Sequence, residues 1–104
     1  MSKKEWVETQ IKGNKVVVFS KTYCPHCKSV KKIFSDVGLK DFLVIELDTR
    51  DDGGEIQDIL LGITGAKTVP RVFIGGESIG GSSDTTALQS KGQLVPKLKS
   101  AGAL

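Results

Sequence analysis

Two short apolar runs on either side of one amphipathic helix constrain this chain more than anything else in it. Lys15-Val16-Val17-Val18-Phe19-Ser20 is β-branched and almost wholly apolar, the pattern of a strand covered on both faces. Phe42-Leu43-Val44-Ile45-Glu46-Leu47 has the same character and reads as a second buried strand. Between them Pro25 suits a first helical position. Val30, Ile33, Phe34 and Val37 follow at i, i+3, i+4 and i+7, and Gly38 ends the run. Strand, helix and strand in that order make a parallel βαβ unit with a right-handed crossover.

The flanking segments complete the layout. Ser2-Lys3-Lys4-Glu5 has the form of a capping box and predicts a helix to about Lys12, broken by Gly13-Asn14. Asp51 to Glu55 open a helix through Ile56, Ile59 and Leu60 that ends near Gly62 to Gly65. Arg71-Val72-Phe73-Ile74, Gly75-Gly76 and Glu77-Ser78-Ile79 predict a hairpin with a two-residue turn. Ser82-Ser83-Asp84 can cap a following helix, and Gln93 to Ala101 forms the last, with Pro96 harmless in its first turn. The order α-βαβ-α-ββ-α describes an α/β fold: a four-stranded mixed sheet flanked by helices on both faces. With no repeat, low-complexity tract or linker, residues 1–104 form a single domain.

A chain with 38% hydrophobic and 26% charged residues needs no disulfide staples for its core. The N-terminus lacks an apolar h-region and no apolar run is long enough to span a bilayer, so the expected location is cytoplasmic, with no membrane contact. The net charge of +3 is unevenly spread: residues 1–32 hold eight lysines, and residues 41–58 hold seven acids against Arg50. Few aromatics accompany the lysines, which fits a solvated face and argues against nucleic acid as a partner. Part of the basic half is suited to an anionic small molecule.

The only cysteines lie in Cys24-Pro25-His26-Cys27, between the first strand and the start of its helix. Two thiols one turn apart close an intramolecular disulfide with little movement, as a reversible two-electron couple requires, and this spacing in a βαβ unit is a strong redox signal. Zinc wants four ligands, and the chain has no second cysteine pair, so no metal is expected. Cys24, at the helix edge where free N–H groups and the helix dipole stabilise a thiolate, is the expected nucleophile, with Lys21 and Lys28 flanking it. Cys27, inside the first turn, is the expected resolving thiol. A stabilised Cys24 thiolate gains little in attack, because nucleophilicity falls with basicity; it gains as a leaving group when a second thiol attacks its mixed disulfide.

Lys21-Thr22-Tyr23-Cys24-Pro25, Thr68-Val69-Pro70 and Gly80-Gly81-Ser82-Ser83-Asp84 together resemble the dithiol glutaredoxins, in order and spacing over nearly the whole chain. The resemblance implies a thioredoxin fold and a glutathione-dependent oxidoreductase that reduces glutathione mixed disulfides and protein disulfides. Glutathione is then the electron donor, glutathionylated and disulfide-bonded proteins are the partners, glutathione reductase acts indirectly, and the protein works as a monomer. It also implies that glutathione lies across Thr68, Val69 and a cis Pro70, with Val69 pairing to the tripeptide backbone. Gly81, Ser83 and Asp84 would meet its γ-glutamyl end, and Lys21 and Gln57 its glycyl carboxylate. Gln57 equally reads as an exposed helical residue. Tyr23 walls the pocket or lies at the core edge, and Arg71 is a further candidate.

His26 departs from the resemblance, since the family commonly has Tyr there. An imidazole one turn from Cys24 is placed to stabilise the thiolate, which would make the disulfide more oxidising. From another class, the chain would be a glutathione-bound [2Fe–2S] scaffold or carrier held through Cys24, although cluster-binding relatives more often have Ser or Gly where Pro25 stands.

Overall fold

Val16–Ser20 forms β1, and all five of its residues are buried. Its side chains alternate between the two faces of the sheet, so one strand feeds two separate cores. Val17 and Phe19 pack with Val7, Ile11, Ile56 and Leu60 on one face. Val16 and Val18 pack with Val30, Phe34, Leu94 and Leu98 on the other. The ring of Phe19 meets Phe73 edge-on, with centroids 5.8 Å apart.

The computed structural model describes residues 2–104; Met1, the first residue of the expected 1–104 domain, lies outside them. The elements are α1 (Lys3–Gly13), β1, α2 (Pro25–Asp36), β2 (Leu43–Glu46), a 3₁₀ turn (Leu47–Thr49), α3 (Gly53–Thr64), β3 (Arg71–Ile74), β4 (Glu77–Gly80), α4 (Ser82–Ser90) and α5 (Leu94–Ser100). The strands form one sheet in the order β2-β1-β3-β4. β1 runs parallel to β2 and antiparallel to β3, and β4 pairs antiparallel with β3. Helices α1 and α3 cover one face, α2, α4 and α5 the other. This is the expected mixed four-stranded sheet, closed by the two helices expected after Ser82-Ser83-Asp84 and over Gln93 to Ala101.

Local signals account for the elements. The capping box of α1 is made: the Ser2 hydroxyl accepts from Glu5 N–H at 3.1 Å, and Glu5 Oε1 accepts from Ser2 N–H at 3.3 Å. The hairpin turn uses Gly75 and Gly76 at φ 61° and 82°, as a two-residue turn with both central residues at positive φ demands.

The second strand differs from expectation. It is an edge strand, only Ile45 of its four residues is buried, and it ends at Glu46. Leu47 turns into the 3₁₀ segment, whose polar side chains compete with the ladder; Thr49 Oγ1 donates to the Glu46 carbonyl at 2.9 Å. Leu47 remains buried, and its carbonyl lies 2.1 Å from where a Cβ on Gly53 would sit. Only glycine lets α3 begin against that turn. Gly53→Ala should therefore destabilise the protein by roughly 3 kcal/mol in urea denaturation, because backbone must move. Gly54→Ala, with open space around its Cβ, should stabilise it by about 0.5 kcal/mol.

Candidate active site

Every element that builds the site ends at one edge of the sheet. The register pairs Ser20 of β1 with Glu46 of β2, Phe19 with Arg71 of β3, and Val72 with Gly80 of β4. The loops leaving those positions carry Cys24, Thr68–Pro70 and Gly81–Asp84.

Cys24 is the N-cap of α2, with extended backbone and Pro25 as the first helical residue. A turn closed by Cys24 N–H donating to the Lys21 carbonyl at 3.1 Å delivers it there. Its sulfur accepts the Cys27 N–H at 3.3 Å and lies 3.8 Å from the Val69 carbonyl. A free amide at a helix start is what stabilises negative charge on a capping atom. Cys24 is half-buried, whereas Cys27 is wholly buried behind it. Burial pushes the Cys27 thiol above its ordinary range, and the hydrogen bond with the Cys24 thiol adds to this. Contacts with the Lys21 backbone and the Ser20 hydroxyl act against it.

Opposite Cys24, the Val69–Pro70 peptide bond is cis, as the resemblance implied. From there a groove of about 650 Å³ runs between His26 and Ser29 of α2 and Ser82, Ser83 and Thr86 of α4. The first-turn amides of α4 lack intrahelical acceptors and lie along this groove. The cap differs from expectation: Gly81 is the N-cap, and Asp84, at the third helical position, accepts Gly81 N–H on Oδ2 at 3.0 Å. Oδ1 of Asp84 is left for other use.

Thr68, Val69, Pro70, Gly81, Ser83 and Asp84 are thus brought together in one groove with His26 and Arg71. Lys21, Tyr23 and Gln57 are not among its walls. Tyr23 is 66% exposed, so it is not a core-edge residue, and Lys21 Nζ stands 6.0 Å from its ring. The Gln57 amide instead donates to the Lys67 carbonyl at 2.9 Å, steadying the loop just before Thr68. His26 is exposed on the groove side and, among the described residues, makes no hydrogen bond to Cys24. Two features escape sequence reading. Arg71 Nη2 lies close against Gly81, 2.6 Å from where a Cβ would sit, so a side chain there would have to push the guanidinium aside. Asp48 binds Thr22 in the turn before Cys24; no spacing rule links residues 26 apart.

A capping thiol backed by a buried one, facing a cis-proline loop at the end of a four-stranded mixed sheet, defines a thiol–disulfide oxidoreductase of thioredoxin-like fold. The glutaredoxin family model matches residues 16–79. A glutaredoxin of Ricinus communis is 58% identical over 94 residues, covering 90% of this chain and 91% of its own. A buckwheat glutaredoxin–glutathione complex superposes with a TM-score of 0.93 at 44% identity, over 97% of this chain and 91% of that one. Oxidised glutaredoxin 2 of Chlamydomonas reinhardtii gives the same score and identity over 97% and 94%. The chain belongs to the glutaredoxin family of glutathione-dependent thiol oxidoreductases.

The buried Cys27 thiol has a consequence for stability. Its acidity is lower folded than unfolded, so the reduced fold keeps the full contribution below the ordinary thiol value of ~8.5 and loses it as pH rises through the folded value. The difference in unfolding free energy between reduced wild type and Cys27→Ser should fall above about pH 8.5, by at most ~1.4 kcal/mol per pH unit. Parallel curves from pH 7 to 10 would contradict the assignment.

Proposed function

We propose that the protein reduces glutathione mixed disulfides and protein disulfides, with Cys24 as nucleophile, Cys27 as resolving thiol and glutathione as electron donor. The observation that carries this is the half-buried Cys24 sulfur, capped by the Cys27 amide at 3.3 Å and 3.8 Å from the carbonyl of Val69 on the groove wall, with a second thiol buried behind it. On a glutathione mixed disulfide the Cys24 thiolate attacks the glutathionyl sulfur. The S–S bond breaks, and the substrate leaves as a thiolate that takes up a proton. The thiolate of a second glutathione attacks the glutathionyl sulfur on Cys24, giving glutathione disulfide and the free Cys24 thiolate. On a protein disulfide, Cys24 forms the mixed disulfide. Cys27 then gives up its proton and attacks the Cys24 sulfur, releasing the reduced substrate and leaving Cys24–Cys27 oxidised. Two glutathiones return it to the dithiol. A reducing, glutathione-rich compartment such as the cytosol suits that cycle.

The groove supplies complementary groups for one charged tripeptide. An added backbone strand pairs at Val69, beside Thr68 and Pro70. The γ-glutamyl carboxylate meets the amides of the first turn of α4 around Ser83, and its ammonium meets Asp84. Lys21 lies outside the groove walls, but its flexible ammonium can swing from Tyr23 to the glycyl carboxylate. Gln57 serves indirectly, through the Lys67 carbonyl it holds. His26, on the groove wall, faces the bound tripeptide. The buckwheat relative, captured with glutathione, supports this reading.

Two sets of variants test it. Cys24→Ser should abolish all turnover, while Cys27→Ser keeps reduction of glutathione mixed disulfides and loses most reduction of protein disulfides. Equal loss in both on a small mixed disulfide would overturn the division of labour. An absorption spectrum of the protein as isolated tests the cluster alternative, which the reading expects to be featureless beyond the aromatic band.

Asp84→Ala should raise the KM for glutathione roughly ten- to a hundred-fold, the effect of losing a charge-assisted hydrogen bond of ~1.5–3 kcal/mol. Lys21→Ala should raise it less, since its ammonium is mobile and solvated. An unchanged KM in both would remove the site.

A further inference from the structure

Asp48 has no part in the cycle above, yet it grips the turn that delivers the nucleophile. It sits on the 3₁₀ turn after β2, at the same end of the sheet as Cys24. Its two carboxylate oxygens accept from one residue: Thr22 N–H donates to Oδ1 at 2.9 Å, and the Thr22 hydroxyl donates to Oδ2. Thr22 is in the middle of the turn that Cys24 N–H closes onto the Lys21 carbonyl. A two-point grip on a mid-turn residue fixes both the backbone and the side chain of that residue, and so the direction in which the chain runs into Cys24. Little else on the outer side does this. Thr22 and Tyr23 are exposed, and among the described residues the Cys24 sulfur has the Cys27 amide and the Val69 carbonyl alone to orient it.

We propose that Asp48 is a positioning residue for thiol–disulfide exchange: by holding Thr22 from both sides it aims the Cys24 sulfur along the line of attack. Exchange needs the attacking, central and leaving sulfurs nearly collinear, and a misplacement of about 1 Å at a reacting atom can cost on the order of a hundred-fold in rate. The Thr22 bonds, with the charge of Lys21 assisting, hold the Asp48 carboxyl below the usual carboxylate range, so the grip is that of a full anion at neutral pH. Because Asp48 and Thr22 are both exposed, their bonds contribute little to folding. The grip therefore separates from stability: its loss should register in turnover and hardly at all in the melting temperature. The inference rests on Cys24 as the attacking sulfur.

The test measures steady-state kcat and KM on a glutathione mixed disulfide of a small thiol, with glutathione and its reductase, for Asp48→Ala, Thr22→Val, Thr22→Ser and the Asp48→Ala/Thr22→Val pair. Asp48→Ala should lower kcat about tenfold, within what small misplacements cost, with KM for glutathione changed less than about twofold. Thr22→Val, which keeps the backbone donor, should lose roughly threefold. Thr22→Ser, which keeps both donors, should match wild type. In the Asp48→Ala background Thr22→Val should add nothing, since its hydroxyl partner is already gone. An unchanged kcat in Asp48→Ala, losses that multiply in the pair, or equal impairment of Thr22→Ser and Thr22→Val would each overturn the proposal. Should Asp48→Ala lose its native circular dichroism, Thr22→Val decides alone: a threefold fall in kcat at constant KM supports the grip, and none removes it. Cys24→Ser run alongside separates the two ideas, because activity in that variant sinks the choice of nucleophile and not merely its positioning.

Discussion

Burial of β1 on both faces is the constraint on which the rest depends. Four apolar residues with side chains alternating into two cores leave no room for a register slip, since moving by one would send Phe19 and Val18 into each other's core. Because β1 lies between β2 and β3, its register sets theirs, and through β3 that of β4. The positions of Cys24, Pro70 and Gly81 are thus consequences of packing many residues away. The site inherits its precision from a strand that supplies no reacting group, although the hydroxyl of Ser20 at its end bears on the Cys27 thiol.

At the end of that sheet, rigidity is passed outward by polar side chains. Gln57 holds the carbonyl before Thr68, Asp48 holds the turn before Cys24, and Asp84 closes the cap at Gly81. Each of the three loops that carry the site has at least one such tie. The loops themselves are largely exposed, so apolar packing cannot fix them, and directional bonds take over where the core stops.

Much of this was legible in the residue order. Periodicity placed β1, α2 and the hairpin because each follows from local physics: a buried apolar run, a Pro-started amphipathic helix, a glycine pair at a turn. The Cys24–Cys27 spacing carried its chemistry with it, and three motifs carried the family. What was hidden depends on long-range placement. Phe42 to Leu47 looks like a central strand, and nothing local says that it lies at the edge or that Leu47 bends away to support Gly53. Gln57 stands outside the groove walls and spends its amide on the Lys67 carbonyl. Tyr23 has the composition of a wall and the exposure of a surface residue. The Asp48–Thr22 pair is invisible because an Asp after a strand and a Thr before a cysteine are unremarkable until the βαβ crossover sets them side by side.

The burial of Cys27 also bears on damage. Of the two thiols Cys24 is the one that reaches solvent, and a peroxide reaching the site meets it first. Oxidation there yields a sulfenic acid, and further oxidation of that group is irreversible. With a second thiol buried one turn behind it, condensation to the disulfide with loss of water competes directly with the next oxidant molecule. In the proposed cycle, the hidden sulfur that releases a protein substrate would also shelter Cys24 from overoxidation, returning it to a disulfide that thiols can reduce.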